Sequence, residues 1–169
     1  RNSAVTTAQT VNVDVSGAGD NMAARRGDSN YSDVQWWLEW YTATGSTAVT
    51  ATVTYTNAAG TSGRTTTVSL AASMAASRML PIIGNGGEFI QSIQSVTLSA
   101  TTGTAGSFGV TATRSMAGLS MGLANAGVVA DWAYLGLPRI HDSACLFIIM
   151  VPGTTSSGAL YGSGKLVQG

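Results

Sequence analysis

His141, Asp142 and Ser143 stand consecutively and bring the only histidine of the chain beside a carboxylate and a hydroxyl, the three groups of an activated serine. Such chemistry needs Ser-to-His and His-to-carboxylate hydrogen bonds that converge in space. Neighbours in an extended segment point to alternate sides, so the run reads as a polar turn before an apolar strand, and no catalytic residue is assigned. One His and eight scattered acids make a poor zinc site. Asp14, Asp20 and Asp28 lie in Gly- and Asn-rich sequence, but their spacing fits no loop in which alternating oxygens surround a calcium ion. They read as turn formers. A glycosidase would set two carboxylates about a sugar, and only Glu39 lies on a strand beside aromatics, with no second acid to pair with it. Residues 84–87 (GNGG) lack the Lys and the helical pattern that complete a phosphate loop. Arg26-Gly27-Asp28 spells the integrin-binding tripeptide and Asn30-Tyr31-Ser32 a glycosylation sequon, both short enough to arise by chance in a polar stretch. No cofactor is expected.

The pattern that stands out is QWWLEWYT over 35–42. Period-two alternation puts Trp36, Leu38 and Trp40 on one face and Gln35, Trp37, Glu39 and Tyr41 on the other. The first set is expected in the core. Trp37, Glu39 and Tyr41 then either lie under another part of the chain or form an aromatic patch at an interface. Met116, Leu119 and Met121, with Leu123, pose the same alternative: they lie in a Gly-rich segment, 115–127, expected to cross an open end of the fold or to pack on a neighbour.

The elements that would hold these residues are strands. Residues 48–55 alternate Val, Ala and Tyr against Thr, and 65–70 repeat the pattern after a loop over 57–63, which predicts a hairpin. A second hairpin is predicted from 90–98 and 108–113 around 100–106, and VTYTNAAGTSG at 53–63 aligns without gaps with VTLSATTGTAG at 96–106. Residues 79–83 read as a strand confined to a sheet edge by Pro81. One helical turn capped by Asp131 is expected over 131–135, and strands over 145–151 and 159–167. The former is apolar on both faces, which predicts a central strand and a buried thiol for Cys145, the only cysteine. Residues 1–30 alternate weakly and read as an extended arm, with one strand at most, that gains order by pairing with a neighbouring subunit, leaving 31–169 as one domain. The chain opens at Arg1 and not at Met, so an upstream piece is expected to have been cleaved, trimmed or left unnumbered. Together these predict an all-β antiparallel sandwich of jelly-roll or related Greek-key type, with a closed barrel as the alternative.

Composition narrows the partners. Lys plus Arg and Asp plus Glu number eight each, and charged residues make up 9 % of the chain. A surface so sparsely charged lacks the single-sign field that nucleic acid or anionic lipid requires, and no apolar run reaches membrane-span length. Neither partner is expected; protein contacts fit better. With 44 % hydrophobic residues and four Trp, the chain is expected to fold despite its wealth of Ala, Gly, Ser and Thr.

The Thr/Ser/Ala/Gly-rich hairpins, the scarcity of Lys, QWWLEWYT and the ending CLFIIMVPGTTSSGALYGSGKLVQG resemble accessory virion proteins of tailed bacteriophages from residue 34 onward. That resemblance implies a capsid decoration or cement protein located in the virion, assembled in the host cytoplasm and bound to the major capsid protein or another virion protein. It also implies a homo-oligomer, commonly a trimer. Fibre and tail-associated binding modules share the composition and give the alternative, recognition of a carbohydrate or other surface ligand.

Overall fold

A computed structural model of the chain describes residues 1–17, 25–120, 127–136, 140 and 144–151. Among these residues seven strands follow one another as β1 (Gln9–Asp14), β2 (Val34–Trp40), β3 (Val49–Asn57), β4 (Arg64–Leu70), β5 (Arg78–Ile82), β6 (Ile90–Leu98) and β7 (Phe108–Arg114). They form two antiparallel sheets, one in the order β1-β6-β3-β4 and the other in the order β5-β2-β7. The protein is an all-β antiparallel sandwich, with two separate sheets in place of a closed barrel.

Alternation explains the layers. In β3, Val49, Ala51, Val53 and Tyr55 are buried while the intervening Thr50, Thr52 and Thr54 stay half-exposed, as a strand with one face on a core requires. Trp36, Leu38 and Trp40 meet them from the facing sheet, with Ile93, Val96, Leu98 and Phe108 filling the space between. Trp40 lies against Phe108 with ring centroids 4.9 Å apart. The Trp36 indole N–H donates across the sandwich to the Ile90 carbonyl at 2.9 Å, tying β2 to β6 through the core.

The β3–β4 hairpin forms as read, with Val49 opposite Leu70 and Tyr55 opposite Arg64. Pro81 lies in edge strand β5, opposite Trp37. Asp131 caps the short helix α1 (Trp132–Leu135), its carboxylate accepting from the Tyr134 N–H at 2.8 Å.

Three expectations need correction. β6 and β7 are no hairpin: β6 pairs with β3 and β1, β7 pairs with β2, and the connection between them crosses from sheet to sheet. The aligned valines of the two similar segments, Val53 and Val96, are direct cross-strand partners. The N-terminal segment is no free arm, because β1 fills the edge beside β6, Val15 is buried, and the Ser3 N–H and carbonyl bond to Gly106 and Thr102. Small valines suffice there, since they only complete a core that β6 and β3 have already built. Last, 145–151 is neither strand nor buried, and Cys145 is exposed. The expected strand over 159–167 lies outside the described residues.

Candidate docking face

β2 carries the site because it is the middle strand of the smaller sheet, held on both sides by backbone pairing. Its inward face is the tryptophan core, so its other residues must point away from the sandwich. Cross-strand register sets Pro81, Trp37 and Thr111 in one row and Met79, Glu39 and Gly109 in the next. Tyr41, just past the strand end, lies over Gly109, where an added Cβ would come within 2.3 Å of the Tyr41 hydroxyl. A side chain at 109 would displace this ring from its place over the neighbouring strand.

The Trp37 indole N–H and one Glu39 carboxylate oxygen are already partnered. The Trp37 indole N–H donates to Thr113 Oγ1 at 2.8 Å, and Glu39 Oε2 accepts from Thr111 Oγ1 at 2.6 Å. Trp37 and Glu39 are half-buried against their strand neighbours, whereas Tyr41 is 52 % exposed. Alternation therefore brings Trp37, Glu39 and Tyr41 together as predicted, and no segment among the described residues packs over them as another sheet. Such a face is rigid and aromatic, and it can bury its rings against a partner without breaking internal hydrogen bonds.

The second candidate group separates from the first. Met116 is half-buried and Leu119 is 54 % exposed in irregular chain after β7, while Met121 lies outside the described residues. His141, Asp142 and Ser143 lie outside them too. Among the described residues, no three His, Cys, Asp or Glu side chains are grouped to hold a metal ion. The tripeptide at 26–28 is engaged within the chain. The Arg26 guanidinium donates to the Ser16 carbonyl at 3.0 Å and lies 5.0 Å from the Tyr31 ring centroid, and Asp28 accepts from the Ser32 N–H at 2.9 Å. Gly27 has φ +88, and a Cβ there would meet Asp33 Oδ2 at 2.1 Å.

A polar cluster that sequence reading missed lies at the end of the β3–β4 hairpin. Glu88 accepts from Asn57 Nδ2 at 2.8 Å, from the Tyr55 hydroxyl, and from Arg64 Nε at 2.9 Å. These three donors, Asn57 first, hold its carboxyl down to about 2. Burial, followed by the bond to Glu88, raises the Tyr55 hydroxyl. The Asn85 N–H donates to that hydroxyl at 2.8 Å, so the cluster fastens the 84–89 turn to the sheet. A carboxyl this acidic cannot serve as a general acid near neutrality, and its bonds are those of a clasp. The sequence signal was Glu88 after a glycine-rich turn, but its partners come from two strands that only tertiary pairing brings together. A shallow pocket of 180 Å³ where β1 and β6 slip out of register, lined by Asn12, Val13, Asp14, Ser92, Ile93 and Gln94, is smaller than the roughly 300–1,000 Å³ of small-ligand sites.

Comparison with family models, curated proteins and solved structures finds no match to this chain.

Proposed function

We propose that this chain is a non-enzymatic structural protein of a virion, a capsid decoration protein that docks on the major capsid protein or another virion protein. The observation that carries the reading is the outward face of β2, where Trp37 and Tyr41 flank Glu39 on a rigid sheet with their polar neighbours already hydrogen-bonded. Aromatic side chains on fixed backbone lose little conformational freedom when covered and supply most of the binding energy at protein interfaces. The sparse, balanced charge supports the same reading, because a decoration protein must pack closely with its neighbours. Cosedimentation with capsids tests it. The full chain should pellet with them, Trp37→Ala and Tyr41→Ala should stay in the supernatant, and His141→Ala should pellet like the parent. A folded His141→Ala that loses all function would favour an enzyme.

The same face also supports a second reading, a fibre- or tail-associated module that recognises a carbohydrate. Two aromatic rings beside a carboxylate offer stacking surface and an acceptor for sugar hydroxyls. A glycan array separates the two readings: saturable binding lost in Tyr41→Ala, with no capsid cosedimentation, would select the second.

A further inference from the structure

Two unsatisfied features of the sandwich are complementary. The first is the outer edge of β7 from Gly109 onward, which is free among the described residues, whereas Phe108 at its start already exchanges backbone hydrogen bonds with Arg1. Two of the other sheet edges carry features that hinder pairing: β1 slips register between Thr10 and Val13 with Asn12 at φ +47, and β5 holds Pro81. β4 is tied to the end of β5 by Thr66 Oγ1 donating to the Ile83 carbonyl at 2.7 Å, which closes that side of the sandwich. β7 has no proline, no bulge in its pairing with β2 and no charge before Arg114. Its inward residues Val110 and Ala112 are only half-buried, as are Val11 and Val13 across from them on β1. Among the described residues, no strand follows β7 in the smaller sheet, where the core is still open.

The second feature is CLFIIMV over 145–151. Leu146, Phe147, Ile148, Met150 and Val151 are all exposed, Ile148 at 77 % and Val151 at 83 %, and the segment pairs with no strand among the described residues. Five large apolar side chains in seven residues are too costly to leave in water on a stable surface. β-Branched and aromatic residues make the run a strand former with both faces apolar. An edge position on a single sandwich covers one face of such a strand and leaves the other wet. Two sandwiches brought together by reciprocal exchange cover both.

We propose that 145–151 of one copy adds as a strand to the free edge of β7 in a second copy, and reciprocally, forming a dimer closed about a two-fold axis. Each added strand runs beside β7 beyond Phe108, whose outer N–H and carbonyl are taken by Arg1, supplies hydrogen bonds to the rest of that edge and covers Val110, Ala112, Val11 and Val13. This contact uses the edge of β7 that adjoins the β2 face and does not depend on the capsid reading.

The lone thiol within the segment gives a direct test. Cys145 in the full chain is labelled with a photoactivatable maleimide, and ¹⁵N-labelled and unlabelled chains are mixed, allowed to exchange and irradiated. Cross-links from Cys145 to the β7 peptide in mixed-isotope pairs are expected, together with a dimer by sedimentation equilibrium. Ile148→Lys, which changes a side chain exposed in the single copy, should keep the β-type circular dichroism while weakening the dimer by about a hundredfold, the effect of placing a charge in a dry strand interface. A monomer at every concentration, cross-links confined to same-isotope chains, or an Ile148→Lys protein that dimerises as the parent does would each overturn the proposal.

Discussion

The two core tryptophans of β2 occupy similar positions and bond differently. Trp36 donates its N–H to the Ile90 carbonyl, whereas the Trp40 N–H is buried without a partner among the described residues. Truncation of either to Ala should cost roughly 3–5 kcal/mol, the usual range for a buried aromatic. Replacement by Phe keeps most of the apolar volume and isolates the polar atom. Trp36→Phe should then cost about 1 kcal/mol more than Trp40→Phe, the net worth of one hydrogen bond. Equal midpoints in denaturant melts would show that the bond across the core contributes nothing. Glu88 gives a prediction in pH. Its carboxyl titrates at about 2 in the folded protein against an ordinary value of 4.5, so the folded state favours the ionised form. The stabilisation is fully present above the unfolded value and is lost as pH falls through the folded one. Stability measured by denaturant titration should decline between about pH 5 and pH 2, and Glu88→Gln should flatten that decline. An unchanged slope in the variant would remove Glu88 from the clasp.

Strands were legible wherever alternation was strong, and their pairing was legible only where the chain turned straight back. The β3–β4 hairpin satisfies both conditions. The loop after β6 shares two glycines and the threonine between them with the β3–β4 loop at the same spacing, yet it crosses to the other sheet. Local composition could not separate a turn from a crossing; what decides is which faces find a core. β6 is buried at Ile90, Ile93, Val96 and Leu98 against the facing sheet, and β7 brings Phe108 from the opposite side. The N-terminal segment was misread because its valines are small, while the vacancy they fill, the outer edge of β6, belongs to another part of the chain. Trp37, Glu39 and Tyr41 were legible as a group because period two alone places them together. The clasp around Glu88 was not, since Tyr55, Asn57 and Arg64 approach it through sheet pairing. The integration of β1 reverses the expected effect of a truncation. Deleting residues 1–15 removes β1, leaves the edge of β6 unpaired and uncovers Ile93 and Val96, so the thermal midpoint should fall and an apolar dye should bind. A truncated sandwich melting at the parent's temperature would restore the free-arm picture.

At the scale of the whole molecule, the charge count limits how any attachment can be driven. With eight basic and eight acidic residues in 169, the chain has a formal net charge of zero and no excess of one sign to steer it toward a partner. The charges that the fold does place are largely consumed internally: Arg64 with Glu88 at 2.9 Å, Arg114 with Asp33 at 3.1 Å, and Arg26 on backbone carbonyls and the Tyr31 ring. Glu39 is the only charged residue in the two strand rows of the proposed docking face, and its carboxylate already accepts from Thr111. Docking by that face must then draw on burial of Trp37, Tyr41 and Pro81, which salt does not screen. Affinity for the proposed capsid partner should therefore change by less than about threefold between low and physiological salt, where contacts between exposed charges are screened within about 8–10 Å. Tyr41→Ala should lower it by about tenfold or more at every ionic strength, as expected for an aromatic anchor whose loss costs above 1 kcal/mol. Gly109→Val tests the geometry from the neighbouring strand, because its side chain would displace the Tyr41 ring without touching the core face of β2. It should weaken binding as Tyr41→Ala does while the melting curve stays close to the parent's. An attachment that dissolves in moderate salt, or one that survives both substitutions, would show that the protein holds its assembly by another surface.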